Sequence, residues 1–209
     1  MRKALLFAPM IGLCLLLCAC GGGGEEEEIL DVQEGYRRMT AAEGEAELTC
    51  HYGQEERRYT LAFTWTPEGS RVEVLAPDTV AGVAARFHGE ELELEYEDLL
   101  LDAGTYSGTD LTPLWAVPSS LRAMAEGYPL DHCREDVDGE PCIRLTAEMD
   151  GGTEGEKLYY TIWFHEDGLP LRCEIAAGDT LAYVVEFTEF TKEESQENGT
   201  AAAEDLGGD

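Results

Sequence analysis

The sequence predicts a mainly β, α+β fold: about eleven strands in one antiparallel meander that curls around its apolar face, with two helices. Three observations carry this. Apolar and polar residues alternate one for one through much of positions 46 to 187, as they do in half-buried strands. Short glycine turns at Asp138-Gly139, Asp167-Gly168 and Gly178-Asp179 separate the alternating runs, and turns this short join antiparallel neighbours. In two segments the apolar spacing changes to three and four, the period of a helix.

The first helical segment runs from Glu25 to about Ala42, where Ile29, Val32, Tyr36 and Met39 share one face. Glu25 to Glu28 stand at the positive end of its dipole and Arg37 and Arg38 near the negative end, so charge agrees with period. Six strands follow. Ala46, Leu48, Cys50 and Tyr52 alternate with Glu45, Glu47, Thr49 and His51, and Tyr59, Leu61, Phe63 and Trp65 alternate with Thr60, Ala62, Thr64 and Thr66. Val72 and Val74, then Val80 to Phe87, then Leu92, Leu94 and Tyr96 among glutamates, then Leu99 to Leu101 complete the set. The second helical segment spans Thr112 to Glu126, with Leu114, Val117, Leu121 and Met124 at helical spacing. Thr112-Pro113 supplies a cap and a first-turn proline, and Gly127 a stop. Pro118 lacks an N–H and clashes with the turn before it, which predicts a short first turn, a restart at Pro118 and a kink. The helix has too much apolar area to stand exposed and should lie over the concave side of the sheet as a lid. Five strands then close the domain, the last four built on Ile143 to Met149, Leu158 to Phe164, Leu171 to Ile175 and Leu181 to Phe187.

Met1-Arg2-Lys3, an apolar run from Ala4 to Leu17, and Cys20 with glycines after it have the parts of a secretory signal over residues 1–20. Pro9 and Gly12 interrupt the run and Gly21 ends it, so it is cut off rather than kept as a membrane span. Leu17-Cys18-Ala19-Cys20 resembles the bacterial lipobox, which implies a diacylated Cys20 and a domain anchored to the outer face of the cell membrane. Residues 21–24 read as a glycine spacer, 25–191 as the domain, and 192–209 as a disordered acidic tail without apolar period. Asp and Glu number 44 against 14 Lys and Arg, a formal charge of −30, which excludes nucleic acid as a partner and electrostatic adsorption to anionic lipid. An apolar fraction of 44% is too high for a disordered chain.

Several stretches carry a family likeness. Val74-Leu75-Ala76-Pro77 with Ala81-Gly82-Val83, Leu94-Glu95-Tyr96-Glu97-Asp98, the Leu111-Thr112-Pro113 helix start and the closing Val185-Glu186-Phe187-Thr188-Glu189-Phe190 resemble the LolA/LolB-like superfamily of lipoprotein carriers. Within it the chain looks like the Gram-positive branch that includes germination-related lipoproteins, over about residues 25 to 191. The resemblance implies an unclosed antiparallel barrel with helices plugging its concave side, and in carrier members a cavity for acyl chains. For this chain it implies a membrane-anchored extracytoplasmic protein that binds a lipid or acyl chain. Carriers shuttle, whereas Cys20 would fix this chain in place. A scaffold or interaction module that serves an envelope or spore-cortex enzyme is therefore the alternative.

The candidate cavity wall consists of Phe63, Trp65, Tyr96, Trp115, Leu121, Met124, Tyr160, Phe164, Tyr183 and Phe187; a closed core would use the same residues. Trp163 and His165 fall on the opposite face of their strand, which either the N-terminal helix or a partner would cover. Cys50 and Cys173 lie on apolar sides as core thiols. Cys133 and Cys142 are the better disulfide pair if a four-residue loop at Asp136 to Gly139 joins their strands, whereas a two-residue turn sets them two positions out of register. Cys50-His51 and His132-Cys133 point to opposite faces of a strand and cannot chelate one ion, so no metal or cofactor is expected. His51, His88, His132 and His165 lie in separate segments without a nucleophile motif, and the chain reads as a non-enzyme.

Overall fold

Strands whose residues alternate have one face to bury, and away from the two sheet edges they bury it in common. The computed structural model, which describes residues 23–89, 91–105, 112–151 and 157–195, holds them in one eleven-stranded sheet. In chain order the elements are α1 (Gly23–Arg37), β1 (Met39–Tyr52), β2 (Glu55–Thr66), β3 (Gly69–Ala76), β4 (Ala84–His88), β5 (Glu91–Tyr96), β6 (Leu99–Thr105), a 3-10 turn (Pro113–Trp115), α2 (Ala116–Glu126), β7 (Tyr128–Val137), β8 (Glu140–Asp150), β9 (Lys157–His165), β10 (Pro170–Ala177) and β11 (Thr180–Glu194). Two meanders, β1 to β6 and β7 to β11, join through antiparallel β1 and β11, giving the order β6-β5-β4-β3-β2-β1-β11-β10-β9-β8-β7. β6 and β7 are the two edges, so the barrel is unclosed. The chain passes from one edge to the other across the concave face, and α2 lies on that crossing.

The seam strand β1 is where the sheet bends. At Gly44 its ladder with β11 is so close that a Cβ would lie 2.0 Å from the Glu189 carbonyl oxygen, and a bulge follows between Glu45 and Ala46. On the concave side Leu48, Leu61, Val72, Leu145, Ile162 and Val185 are buried in one cluster with Val117, Leu121 and Met124 of α2. Burying Leu121 and Met124 contributes about 1.5–3 kcal/mol each. α1 packs beside α2. Its Ile29 and Tyr36 are buried, Gln33 Nε2 donates to the Gly127 carbonyl at 3.1 Å, and the Tyr36 hydroxyl donates to the Gly168 carbonyl at 3.0 Å. Gly127 ends α2 where a Cβ would come 2.5 Å from the Ala123 carbonyl oxygen and 2.9 Å from the Ala147 Cβ.

Five sequence expectations are corrected. α1 stops at Arg37, because Met39 to Ala42 gain backbone partners in β11, and Ala42 also in β2. The acidic tail does not begin at Lys192: β11 runs to Glu194, with Lys192 opposite Ala42 and its ammonium 4.6 Å from the Tyr36 ring centroid. Residues 77–83 form a turn, with Val80 N–H donating to the Pro77 carbonyl, and β4 begins only at Ala84. α2 restarts at Ala116 rather than at Pro118: the expected short first turn is the 3-10 turn Pro113–Trp115, and Pro118 stands in the first turn of α2, where N–H groups are unbonded in any case. Cys133 and Cys142 form no disulfide. The turn is the two-residue Asp138-Gly139, which pairs Cys133 with Arg144 and Cys142 with Glu135, and both thiols are free.

Candidate functional site

α2 covers the centre of the concave face and leaves an apolar margin beside β2 to β4. There Trp115, at the end of the 3-10 turn, packs on Phe87 of β4 with ring centroids 4.8 Å apart and planes tilted by 52°. Trp65 near the end of β2 is half-buried. Between these rings, α2 and the end of α1 opens a cleft of about 490 Å³, whose walls are Tyr36, Met39, Trp65, Phe87, Trp115, Pro118, Leu121 and Ala125. That volume lies within the range of about 300–1,000 Å³ usual for small-molecule sites. Arg37, Arg122, Glu68 and Glu126 are the charged residues of the lining. Arg122 is held by Glu126 at 3.0 Å and Arg37 by Glu34 at 3.3 Å, so the guanidiniums are already paired. Apolar walls with paired charges can hold a hydrocarbon chain and leave its polar end in water.

The apolar surface continues from the cleft toward one sheet edge. Phe87 stands opposite Leu92 on β5, Ala85 opposite Leu94, and Leu94 opposite Leu101 on β6, all on the concave face. Leu92 and Leu94 are half-buried.

Of the ten residues expected at a cavity wall, the structure brings Trp65, Trp115 and Leu121 to the cleft. Phe63, Met124, Tyr160, Phe164, Tyr183 and Phe187 are buried in the packed core instead. Phe63 and Phe187 meet edge-on at 6.2 Å, and Phe164 packs 5.7 Å from Tyr36, so this part of the concave side is filled by its own side chains. Burial pushes the Tyr160 phenol up to about 12, with a hydrogen bond to Ser119 acting the other way, and it stays neutral. Tyr96 lies away from the cleft, exposed on β5. Met39, Phe87 and Ala125 were not in the expected set. Their apolar positions were visible, but the end of α1 that turns Met39 into a strand residue at the cleft wall was not.

A larger cleft of about 880 Å³ lies where α1 meets β8, the turn after β9 and the end of β11. It is lined by Glu27, Glu28, Asp31, Glu166, Asp167 and Glu194 with Arg38, Arg134 and Lys192, and its cations are taken up by ion pairs: Arg134 with Glu28 and Glu166, Arg38 and Lys192 with Glu194. The Arg134–Glu28 pair docks α1 on β7, which makes this cleft a seam between helix and sheet. Trp163 on the convex face is met by side chains of its own sheet rather than by α1. Arg172 stacks over its ring at 5.6 Å and its indole N–H donates to Glu135.

The nucleophilic and titratable side chains do not converge. Burial pushes the Cys50 thiol up to about 11 and the Cys173 thiol up to about 12, so neither is a thiolate at neutral pH. Arg144 Nε donates to Cys133 Sγ at 3.3 Å. His51 pairs with Glu56 at 3.7 Å and His165 with Glu140 at 3.3 Å, on different strands. Among the described residues no three His, Cys, Asp or Glu side chains stand within reach of one metal ion, and no helix is long and apolar enough to cross a membrane. The expected signal and Cys20 lie outside the described residues.

No family model matches the chain, and no curated protein matches it. Among solved structures it is similar to a LolA-superfamily protein from Nitrosomonas europaea, at 12% identity over 82% of this chain and 94% of that one with a TM-score of 0.46. It is also similar to an outer membrane lipoprotein-sorting protein domain from Vibrio parahaemolyticus, at 11% identity over 83% and 93% with a TM-score of 0.42. LprF from Mycobacterium bovis is a third such structure, at 11% identity over 81% and 93% with a TM-score of 0.47.

Proposed function

We propose that this chain is a membrane-anchored extracytoplasmic binding protein whose cleft beside α2 takes an apolar chain, such as the acyl chain of a lipid. The observation that carries the reading is the cleft: about 490 Å³ walled by Trp65, Phe87, Trp115 and Leu121, with an apolar strip running out of it along β5. Trp65 and Trp115 stay half-buried at the margin of a filled core, where aromatic faces offer an apolar chain a wall to lie against. The anchor rests on Leu17-Cys18-Ala19-Cys20, and the likeness to germination-related lipoproteins on the sequence stretches that carry it. Binding, not catalysis, is the activity, since buried neutral thiols and scattered imidazoles offer no reacting group at the cleft.

Residues 21–209 contain every described element and serve for the test. A fluorescent fatty-acid analogue titrated into this protein should bind saturably. Trp115→Ala should weaken it by at least about fivefold, or roughly 1 kcal/mol, whereas Trp163→Ala on the convex face should leave it unchanged. No saturable uptake, or equal loss in both variants, would overturn the reading.

A further inference from the structure

The two edges of the sheet are built differently. β7 carries Pro129, Asp131, Arg134, Glu135 and Asp136, and Arg134 is tied to α1 through Glu28, so this edge has the charges and the proline that keep strands from adding to it. β6 has none of these devices in its first half. Leu99, Leu100 and Leu101 are 64%, 55% and 61% exposed, and among the described residues the strand pairs only with β5. Three consecutive leucines on an unblunted edge leave apolar side chains and a row of backbone donors and acceptors in water together.

The chemistry of the neighbours says what fits. Leu99 and Leu101 face the concave side with Tyr96 and Leu94, their register partners, and Leu100 and Asp102 face the other side with Glu95 and Glu93. From Glu91 to Thr105 the hairpin contains Glu91, Glu93, Glu95, Glu97, Asp98 and Asp102 and no Lys or Arg. Among the described residues only Glu95 of these is ion-paired, with Arg71 and Arg86. We propose that the β6 edge at Leu99–Asp102 is a docking site for an extended basic segment of another protein, added as a twelfth strand, with apolar residues on its concave face alternating with Lys or Arg on its convex face.

Charge selects this occupant over the others. A second copy would bring two such hairpins edge to edge in a chain of charge −30, and the acidic end of the chain, with Glu193, Glu194, Glu197, Glu204, Asp205 and Asp209, has the same sign. A basic segment gains attraction at the rim and backbone hydrogen bonds along the edge. The ladder is short, because Asp102 Oδ1 accepts from the Gly104 N–H at 2.8 Å and Gly104 takes φ +84°, which bends β6 away. The proposal does not use the space beside Trp115: it rests on the β6 backbone, the exposed leucines and the rim charge, although Leu101 also ends the apolar strip that runs out of the cleft.

The test uses residues 21–209 and a labelled eight-residue peptide of alternating valine and lysine, read by fluorescence anisotropy. The peptide should bind at least tenfold more tightly than a block peptide of the same composition and than its fully N-methylated copy. Leu99→Asp/Leu101→Asp should weaken it at least tenfold, while Leu130→Asp on the opposite edge and Trp115→Ala in the cleft leave it unchanged. Glu91→Lys/Glu93→Lys should turn the preference toward a valine–glutamate peptide. Equal binding of the block or methylated peptide would reduce the effect to charge adsorption and overturn the proposal. So would a dimer in sedimentation velocity that Leu99→Asp/Leu101→Asp abolishes while the peptide fails to bind.

Discussion

Cys50, Cys173 and Tyr160 show how single side chains set the pH range of this fold. Their unperturbed values are 9.0, 9.0 and 10.0, and burial raises them in the folded state to about 11, 12 and 12. The folded state therefore opposes their ionisation. The contribution of these groups to stability is fully present below pH 9, where the unfolded chain is also neutral at them, and is lost as pH rises from 9 toward 12. The urea midpoint should drop between pH 8 and pH 10.5 in the wild type and drop less in Cys173→Ala; an equal drop in both would put the loss elsewhere. Much of this was legible in the sequence, since alternation alone set Cys50 and Cys173 on apolar faces. The pairing of Cys133 with Cys142 was not, because it turns on whether Asp138-Gly139 closes the hairpin alone, and a difference of two positions moves the thiols out of register.

Among the elements, α2 does the most for the site, since one of its faces fills the core and its margin walls the cleft. Leu121→Ala should cost about 2–5 kcal/mol by leaving a hole in the core, whereas Pro118→Ala should change stability by less than about 1 kcal/mol because it sits in the first turn. Urea denaturation of the two variants checks both, and a large loss in Pro118→Ala would mean that the proline shapes the helix. The position, apolar face and stop of this helix could be read from Leu114, Val117, Leu121, Met124 and Gly127. The place where it restarts, Ala116 rather than Pro118, could not, because it depends on the 3-10 turn before it. Both element boundaries at the β1–β11 seam were hidden for one reason. Met39 to Ala42 and Lys192 to Glu194 are strand through pairing with each other, which neither segment reveals alone.

For the molecule as a whole, eleven strands in order β6 to β7 leave an open sheet whose concave side is mostly filled, with an apolar cleft beside Trp115 and Trp65. The strand number, the two helices and the antiparallel turns were all read from periodicity. The extent of the cavity was not, since a filled core and a ligand box use the same aromatic residues and only packing tells them apart. A chain of formal charge −30 does not adsorb to anionic lipid, so in the proposed reading attachment would fall to Cys20. Cys20→Ala should move the protein out of the membrane fraction, and retention of that variant at high salt would show another anchor. The central claim is that the cleft beside α2 holds an apolar chain. Native mass spectrometry of residues 21–209 purified from a bacterial host tests it most directly: a retained lipid or fatty acid at one per protein, lost in Trp115→Ala, is the predicted result, and a wild type that carries none and takes up none when supplied would contradict the account.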